Sequence, residues 1–184
     1  MTPHITLRAP EPDDVDRIFL WENDLAMAEA AVNGAPVSRL QVWNYVQTYT
    51  ADPFGAGELR LIIEAGGRAA GHIDLIEVDA RNRRAGIAIY IAPDERRRGL
   101  GAAALAEMIK YCRDRLDLHQ VWAHVAVDNA ASLALFRAVG FRPAGRLRSW
   151  LRRGGEWVDV VVMQYLRHTL PLTGGATAAA SAGD

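Results

Sequence analysis

The stretch Ile91–Leu105, IAPDERRRGLGAAAL, places three arginines and two glycines directly before a run of helix-forming residues. The first turn of a helix leaves about four N–H groups without partners, and the aligned peptide dipoles add positive charge there. Glycine has no Cβ, so its backbone approaches an anion closely. A strand followed by Arg96-x-x-Gly99-x-Gly101 and a helix therefore predicts a pyrophosphate site.

Other phosphate-binding motifs fit this stretch less well. A P-loop requires a Gly-Lys pair, and the sequence contains none. The dinucleotide fingerprint requires a parallel βαβ unit, whereas the strands before this loop are predicted to form antiparallel hairpins. A basic helix cap that binds no ligand remains the alternative to a pyrophosphate site.

Size and composition predict one well-packed domain. The chain has 184 residues, half of them hydrophobic, and a formal net charge of −1. We expect no membrane span, because no apolar run approaches the roughly 20 residues that cross a bilayer. We expect no signal peptide, because the N-terminus reaches a charged segment at once, without a basic start followed by an apolar region. The charge balance also argues against a nucleic-acid partner. The lone Cys112 cannot form an internal disulfide, which predicts a cytoplasmic protein. We expect Cys112 to be a buried helix residue, and a nucleophile is the alternative.

The hydrophobic periodicity predicts an α+β domain in the order β-α-α-β-β-β-α-β-α-β-β, built on one mostly antiparallel sheet. Gly66-Gly67 is a hairpin signal, and Ser38 with Gln41 predicts a capping box at the start of the second helix. That helix is expected to bury Leu40, Val42, Trp43, Tyr45 and Val46. The domain is expected to cover residues 1–170, and residues 171–184 to form a flexible tail.

Two motifs together resemble those of the GCN5-related N-acetyltransferases, the GNAT family. Arg96-x-x-Gly99-x-Gly101-Ala102 resembles the family's pyrophosphate loop, and Asp128–Phe141, DNAASLALFRAVGF, resembles its second motif. The resemblance covers about residues 5–166. Within the family, residues 74–78 and 82–85 resemble bacterial spermidine and diamine acetyltransferases, and the ribosomal-protein acetyltransferases form a second similar branch.

The resemblance implies a splayed pair of strands, 85–91 and 121–127, that holds acetyl-CoA as the acetyl donor. Backbone groups of the first strand would pair with the pantetheine arm and stabilise the thioester oxyanion. Asn129 would bind the cofactor arm, cap its helix, or do both. No metal is implied. The implied cofactor-binding residues are Ile89, Tyr90, Ile91, Arg96, Arg97, Arg98, Gly99, Leu100, Gly101, Ala102, Asn129 and Phe136.

The implied chemistry is direct attack of an amine on the thioester, which requires a group that takes a proton from the ammonium. Asp74 and Glu77 are the candidate bases. Because they are three residues apart, a regular strand points them to opposite faces, and only a bulge would allow both to face the cleft. Surface ion pairs are the alternative for both. His72 and His124 are further candidates, although each fits an ordinary structural histidine.

The proton donor departs from the family pattern. Phe136 stands where polyamine acetyltransferases carry a tyrosine, and a phenylalanine has no proton to transfer. Ser132, one helical turn earlier, is the candidate acid, and solvent is the alternative. Gly86 stands where a polyamine-type glutamate is expected. Asp159 interrupts an apolar run, which predicts a specific partner, catalytic or structural.

The acceptor is expected to be a small cationic amine such as a polyamine, approaching over the two N-terminal helices. These helices supply acidic and aromatic side chains, which favour a cation. The alternatives are an enzyme that acetylates protein N-termini and a non-catalytic acyl-CoA-binding module. Relatives of this kind often form homo-oligomers. The expected acceptor-side residues are Trp21, Glu22, Asp24, Glu29, Trp43 and Tyr45.

Overall fold

The computed structural model describes residues 3–24 and 35–167. The expected elements are confirmed, with one addition, the single-turn helix α3. Glu29 and the expected tail at 171–184 lie outside the described residues. The elements are β1 (Thr6–Arg8), α1 (Val15–Glu22), α2 (Arg39–Gln47), α3 (Pro53–Ala56), β2 (Leu59–Ala65), β3 (Arg68–Asp79), β4 (Arg84–Ile91), α4 (Leu100–Asp114), β5 (Gln120–Ala126), α5 (Ala130–Ala138), β6 (Arg142–Arg153) and β7 (Glu156–Leu166).

The described strands form one sheet in the order β1-β2-β3-β4-β5-β7-β6. All neighbouring strands are antiparallel except β4 and β5, which are parallel. The parallel pair follows from the connection through α4, because a parallel crossover needs a long segment and a two-residue turn cannot make it. The mostly antiparallel α+β arrangement is confirmed.

The sheet has a hydrophobic cluster on each face. On one face, the α4 face, Ile73 and Ile87 pack in the main core with Met108 of α4. On the other, the α1 face, Ile62 and Tyr90 pack with Ile18 of α1 and with residues of α2. Because strand side chains alternate between faces, the position of each residue in β3, β4 and β5 assigns it to one of these two faces.

The expected buried side of α2 is partly wrong. Val42 and Val46 are buried, but Leu40 is 67% exposed and Trp43 is 45% exposed. At 100° per residue, Val42 and Val46 share one narrow stripe, whereas Leu40 lies almost opposite and Trp43 lies a quarter-turn away. Trp43 is therefore a surface residue and not part of the core.

Other local predictions are confirmed. The Ser38 hydroxyl accepts a hydrogen bond from the Gln41 N–H, and the Gln41 side-chain oxygen accepts one from the Ser38 N–H. Cys112 is buried in α4, and burial raises the pKa of its thiol to about 12, which leaves it a poor nucleophile. Within residues 3–24 and 35–167, no helix has the length and apolarity that crossing a bilayer would require.

Candidate active site

The parallel strands β4 and β5 separate shortly after they meet. They pair only at Arg84 with Gln120, Ala85 with Val121 and Gly86 with Trp122. Both strands continue beyond these pairs, β4 to residue 91 and β5 to residue 126. The edge of β4 that faces β5 therefore opens onto a wedge-shaped gap, and the expected splay is confirmed. Residues 89–91 lie along this edge, so their main-chain groups are placed to pair with an extended ligand.

The start of α4 is an uncapped helix terminus. Gly99 precedes it with φ of 77°, a left-handed conformation that favours glycine, and no side chain caps the helix. The first intrahelical bond runs from the Ala103 N–H to the Gly99 carbonyl at 3.2 Å. The N–H groups of Leu100, Gly101 and Ala102 precede that bond, so the terminus fits a diphosphate.

Gly101 also lies close to the side chain of Leu135. A Cβ at this position would lie 3.2 Å from Leu135 Cδ2 of α5, closer than side-chain contacts normally come. The glycine therefore allows α4 and α5 to approach each other beside the gap. This contact places the start of α4 beside the second half of α5.

The three arginines of the loop have different surroundings. Arg96 Nε donates a hydrogen bond to the Ile91 carbonyl at 3.0 Å, and Arg98 pairs with the buried Glu95. Arg97 has a left-handed φ of 61°. Two of the arginines thus help hold the loop itself. All three are exposed and add positive charge around the uncapped helix start.

The second motif forms the start of α5. Asn129 caps this helix, because its side-chain oxygen accepts a hydrogen bond from the Ser132 N–H at 3.0 Å. Ser132 is half-buried. Phe136 is 3% exposed and packs edge-on against Phe141, with 4.9 Å between the ring centroids. The cap at Asn129 is therefore confirmed, and the expected cofactor contacts of Asn129 and Phe136 stay predictions.

A cavity of about 290 Å³ lies on the α1 face, between α1, α2 and strands β2 and β3. Its lining includes the carboxylates of Glu22, Glu58 and Asp74, the guanidinium of Arg60 and the ring of Tyr45. Three carboxylates face one guanidinium, so the cavity carries excess negative charge. Such a lining suits a cationic ligand.

Arg60 organises the acidic groups of this cavity. It binds both oxygens of Asp74, at 3.0 and 2.8 Å, and Glu22 Oε1 at 2.5 Å. Burial would raise the pKa of Asp74, but the hydrogen bond from His72 and the charge of Arg60 outweigh it and hold the pKa at about 2. Asp74 therefore stays ionised near neutral pH and is a weak proton acceptor, which favours an electrostatic role over that of a base.

The expected acceptor-side residues separate into two groups. Glu22 and Tyr45 line the cavity. Trp21 is buried against the rings of His72 and Tyr90, so it belongs to the core. Asp24 accepts a hydrogen bond from the Tyr90 hydroxyl at 3.0 Å. Of these acidic and aromatic side chains, Glu22 and Tyr45 are therefore the ones that line the cavity.

Strand β3 is not regular near Glu77. The pairing with β4 shifts between Ile76 and Asp79, and Glu77 has a left-handed φ of 49°. The bulge that the sequence analysis allowed for is therefore present at Glu77, so the argument from a regular strand does not apply to Asp74 and Glu77. The charge of Glu77 acts on His124 of β5, across the sheet.

No side chain fits at position 86. A Cβ there would lie 2.7 Å from Ile76 Cγ1 and 2.9 Å from Trp122 Cζ2. The indole of Trp122 extends over β4 at this point and fills the space in which a glutamate side chain would stand. The departure from the polyamine-type pattern at Gly86 thus has a steric cause.

Asp159 has a structural role. Its carboxylate accepts hydrogen bonds of 2.7 Å from Arg146 Nε and from the Ser149 N–H. These bonds hold an irregular segment of β6 between Leu147 and Leu151, where the pairing with β7 is interrupted. The same segment carries Trp150, whose ring approaches His124.

Comparison with known proteins agrees with this geometry. Residues 4–142 match the model of the acetyltransferase (GNAT) domain. The chain belongs to the GNAT acetyltransferase family. The members of this family are acetyltransferases, and acetyl-CoA is their acetyl donor. The uncapped start of α4 and the splayed strands supply the residues that would hold acetyl-CoA.

Individual relatives span different shares of the chain. The spermidine N(1)-acetyltransferase of Vibrio cholerae is 31% identical over 60% of this chain, and the match covers 64% of that enzyme, slightly less than two thirds. YdaF of Bacillus subtilis, whose name assigns it provisionally to ribosomal N-acetylation, is 29% identical over 89% of this chain and 92% of its own. The Vibrio spermidine N-acetyltransferase solved with CoA and spermine has a TM-score of 0.76 at 26% identity, covering 88% of this chain and 95% of that one.

Sequence reasoning missed Arg60 and Trp122. Arg60 is a charged residue between two leucines of the mostly apolar strand β2, and such a residue signals a buried partner. Its partner could not be read from the sequence, because Arg60 and Asp74 meet only through the β2–β3 register. Trp122 gave no signal of its own, since an aromatic residue in a strand fits ordinary packing.

Proposed function

We propose that the protein transfers the acetyl group of acetyl-CoA to a primary amine of a small cationic acceptor such as a polyamine. The acidic cavity on the α1 face is the observation that carries this proposal. Ile76, in the wall of the cavity, lies next to Gly86 and Trp122, where β4 and β5 begin to separate. An acceptor held by its positive charge in this cavity would lie beside the gap that suits the pantetheine arm.

Each part of the proposed site has a defined task. The N–H groups at the start of α4 bind the diphosphate, and main-chain groups along residues 89–91 align the pantetheine arm and polarise the thioester carbonyl. Glu22 and Asp74 attract the ammonium groups of the acceptor, with Arg60 fixing both carboxylates. Ser132 is proposed to donate a proton to the departing thiolate.

The named relatives support a polyamine as the first acceptor to test. The Vibrio enzyme is named for spermidine, and its solved structure is titled as a complex with CoA and spermine. This chain departs from the polyamine pattern at Phe136 and Gly86. The cavity charge, and not the relatives alone, therefore carries the proposal for this chain.

Acetylation of protein N-termini is the second candidate, favoured by the match to YdaF over most of the chain. A thiol-release assay with polyamines, amino acids, aminoglycosides and short peptides separates the two. We expect the highest kcat/KM with polyamines. Highest kcat/KM with peptides would favour the second candidate. No release with any amine, despite tight CoA binding, would indicate a non-catalytic module.

Glu22→Gln tests the role of the cavity within the same assay. Loss of one carboxylate should raise KM for polyamines about fivefold with little change in kcat, because the ammonium loses roughly 1 kcal/mol of attraction. Glu107→Gln is the matched control, since Glu107 is an exposed residue of α4, on the other face of the sheet. Equal KM values in both variants would count against the cavity as the acceptor site.

A further inference from the structure

The row of residues beyond the last β4–β5 pair contains Ala88 and His124. Continuing the parallel register from Gly86 and Trp122 by two residues places Ala88 on β4 and His124 on β5, after the strands have separated. Both residues are exposed, although their strand neighbours Ile87, Ala123 and Val125 are buried in the main core. By alternation, Ala88 and His124 face the α1 face, the face of the acidic cavity.

Ala88 leaves open space between two polar groups. On its β3 side it pairs with Asp74, and on its β5 side the gap separates it from His124. A methyl group is too small to fill this space, so an acceptor that crosses from the cavity to the gap passes over Ala88. His124 is the titratable residue on the α1 face of β5 at this point.

His124 is held by aromatic rings and influenced by one carboxylate. Its ring centroid lies 4.6 Å from that of Trp122 and 6.2 Å from that of Trp150, which approaches edge-on from β6. On β7 it pairs with Val162. Among the described residues, the charged group shown to act on it is Glu77 of β3. The imidazole is thus oriented by contacts with these two rings while it remains exposed.

We infer that His124 removes the proton from the acceptor ammonium, with Trp122 and Trp150 orienting its ring. This inference rests on the proposed transfer to an amine that enters over the α1 face. It gives a catalytic role to a residue on the splayed strand itself. Asp74, across Ala88, keeps the task of attracting the cation.

The protonation states agree with this division of tasks. Partial burial lowers the pKa of His124 below its ordinary value, and the Glu77 carboxylate opposes that effect. A neutral imidazole is therefore the main form at pH 7 and above. Asp74, with a pKa of about 2, is far less able to accept a proton. A base must also be free of strong ion pairs, and Asp74 is bound by Arg60.

The step balances without a further reactant. The imidazole takes one proton from the ammonium, and the freed nitrogen lone pair attacks the thioester carbonyl carbon. The C–N bond forms, the C–S bond breaks, and its electron pair leaves with sulfur. A second nitrogen proton passes to the thiolate through Ser132 or water. The imidazolium then releases its proton to solvent, so each turnover yields one acetylated amine, one CoA and one proton.

The pH profile of His124→Gln is the first test. With a base contributing 10²–10⁴-fold, we expect kcat to fall about 100-fold and the acid limb of kcat/KM to disappear, with CoA affinity unchanged. His119→Gln is the matched control, because His119 is an exposed residue just before β5 begins, away from the gap. A His124→Gln variant with the wild-type rate and acid limb would overturn the inference.

Glu77→Gln provides a second test, because a purely structural role of His124 would not produce the expected shift. Because Glu77 raises the pKa of His124, its loss should move the acid limb to lower pH, and the NMR titration of the His124 ring protons should move by the same amount. If the NMR titration of His124 moves and the acid limb of kcat/KM does not, the inference is overturned. If wild-type protein acetylates none of the amines, the proposed function fails; if it is active and only these shifts are absent, the inference alone fails.

Discussion

Asp74 shows how one residue can serve both the fold and the site. Its carboxylate is bound by both Arg60 and His72 beneath α1 and α2, and it also supplies negative charge to the acceptor cavity. Removing one partner of a buried ion pair leaves the other charge uncompensated, which costs about 3 kcal/mol or more. Arg60 would retain Glu22, so the loss at this site should lie near the lower end of that range.

Stability in acid is the measurable consequence. The folded-state pKa of Asp74, about 2, lies below its ordinary value of 3.8, so the stability that it contributes is present above pH 4 and is lost as pH falls towards 2. The shift corresponds to about 2 kcal/mol. We expect Asp74→Asn to lower the free energy of unfolding by about 3 kcal/mol at pH 7 and to flatten its pH dependence between 4 and 2.

Urea unfolding at pH 7, 4 and 2.5 checks this expectation. The exposed Asp94→Asn serves as the control, and it should keep the wild-type stability at pH 7 and the wild-type slope in acid. An Asp74→Asn variant that follows wild type at all three pH values would show that the Arg60 ion pair contributes nothing to folding.

At the scale of elements, the start of α4 is the place at which we expect the diphosphate to bind. Its first turn carries the small residues Gly101 and Ala102, and the preceding Gly99 provides no capping side chain. A carboxylate introduced in that turn would compete with a bound diphosphate for the same N–H groups. It would also stabilise the ligand-free helix, because a negative charge at a helix N-terminus is favourable.

Ala102→Glu should therefore change stability and affinity in opposite directions. We expect about 0.5 kcal/mol of added stability and at least about a tenfold weaker affinity for CoA, measured by thermal unfolding and calorimetry. Ala106→Glu, on the same helix face one turn later, is the control and should bind CoA nearly as wild type does. Equal affinities in the two variants would contradict a diphosphate site at this helix start.

Elements with local causes could be predicted from the sequence, whereas the site required tertiary structure. Gly66-Gly67 defined a hairpin, and Ser38 defined a helix start, because turns and caps depend on neighbouring residues. The bulge at Glu77 and the indole above Gly86 depend on the packing of three strands. No periodicity along one strand reports such packing, so the environments of the candidate base and of position 86 could not be foreseen.

At the scale of the whole molecule, positive and negative residues are concentrated in different regions, although the net charge is only −1. Arg96, Arg97 and Arg98 lie next to the start of α4, whereas Glu22, Glu58 and Asp74 line the cavity on the α1 face. An anionic donor and a cationic acceptor would thus be attracted to different parts of the sheet. Motif matching could identify the first region. Of the second region, only Glu22 could be expected on the acceptor side from the sequence, because Glu58 and Asp74 join it through the packing of α1 against β2 and β3.

Salt dependence tests this separation. At saturating acetyl-CoA, raising NaCl from about 50 to 500 mM should increase KM for a triamine several-fold while kcat changes little, because screening weakens attraction to the cavity. A monoamine acceptor should show a smaller increase. Equal salt dependence for acceptors of different charge would contradict electrostatic attraction of the acceptor.

A structure of the protein with acetyl-CoA tests the central claim most directly. It should show diphosphate oxygens within hydrogen-bonding distance of the N–H groups of Leu100, Gly101 and Ala102, with the pantetheine arm along the open edge of β4 and the thioester between Ala88 and His124. Acetyl-CoA bound elsewhere, with the gap between β4 and β5 free of ligand, would contradict the account.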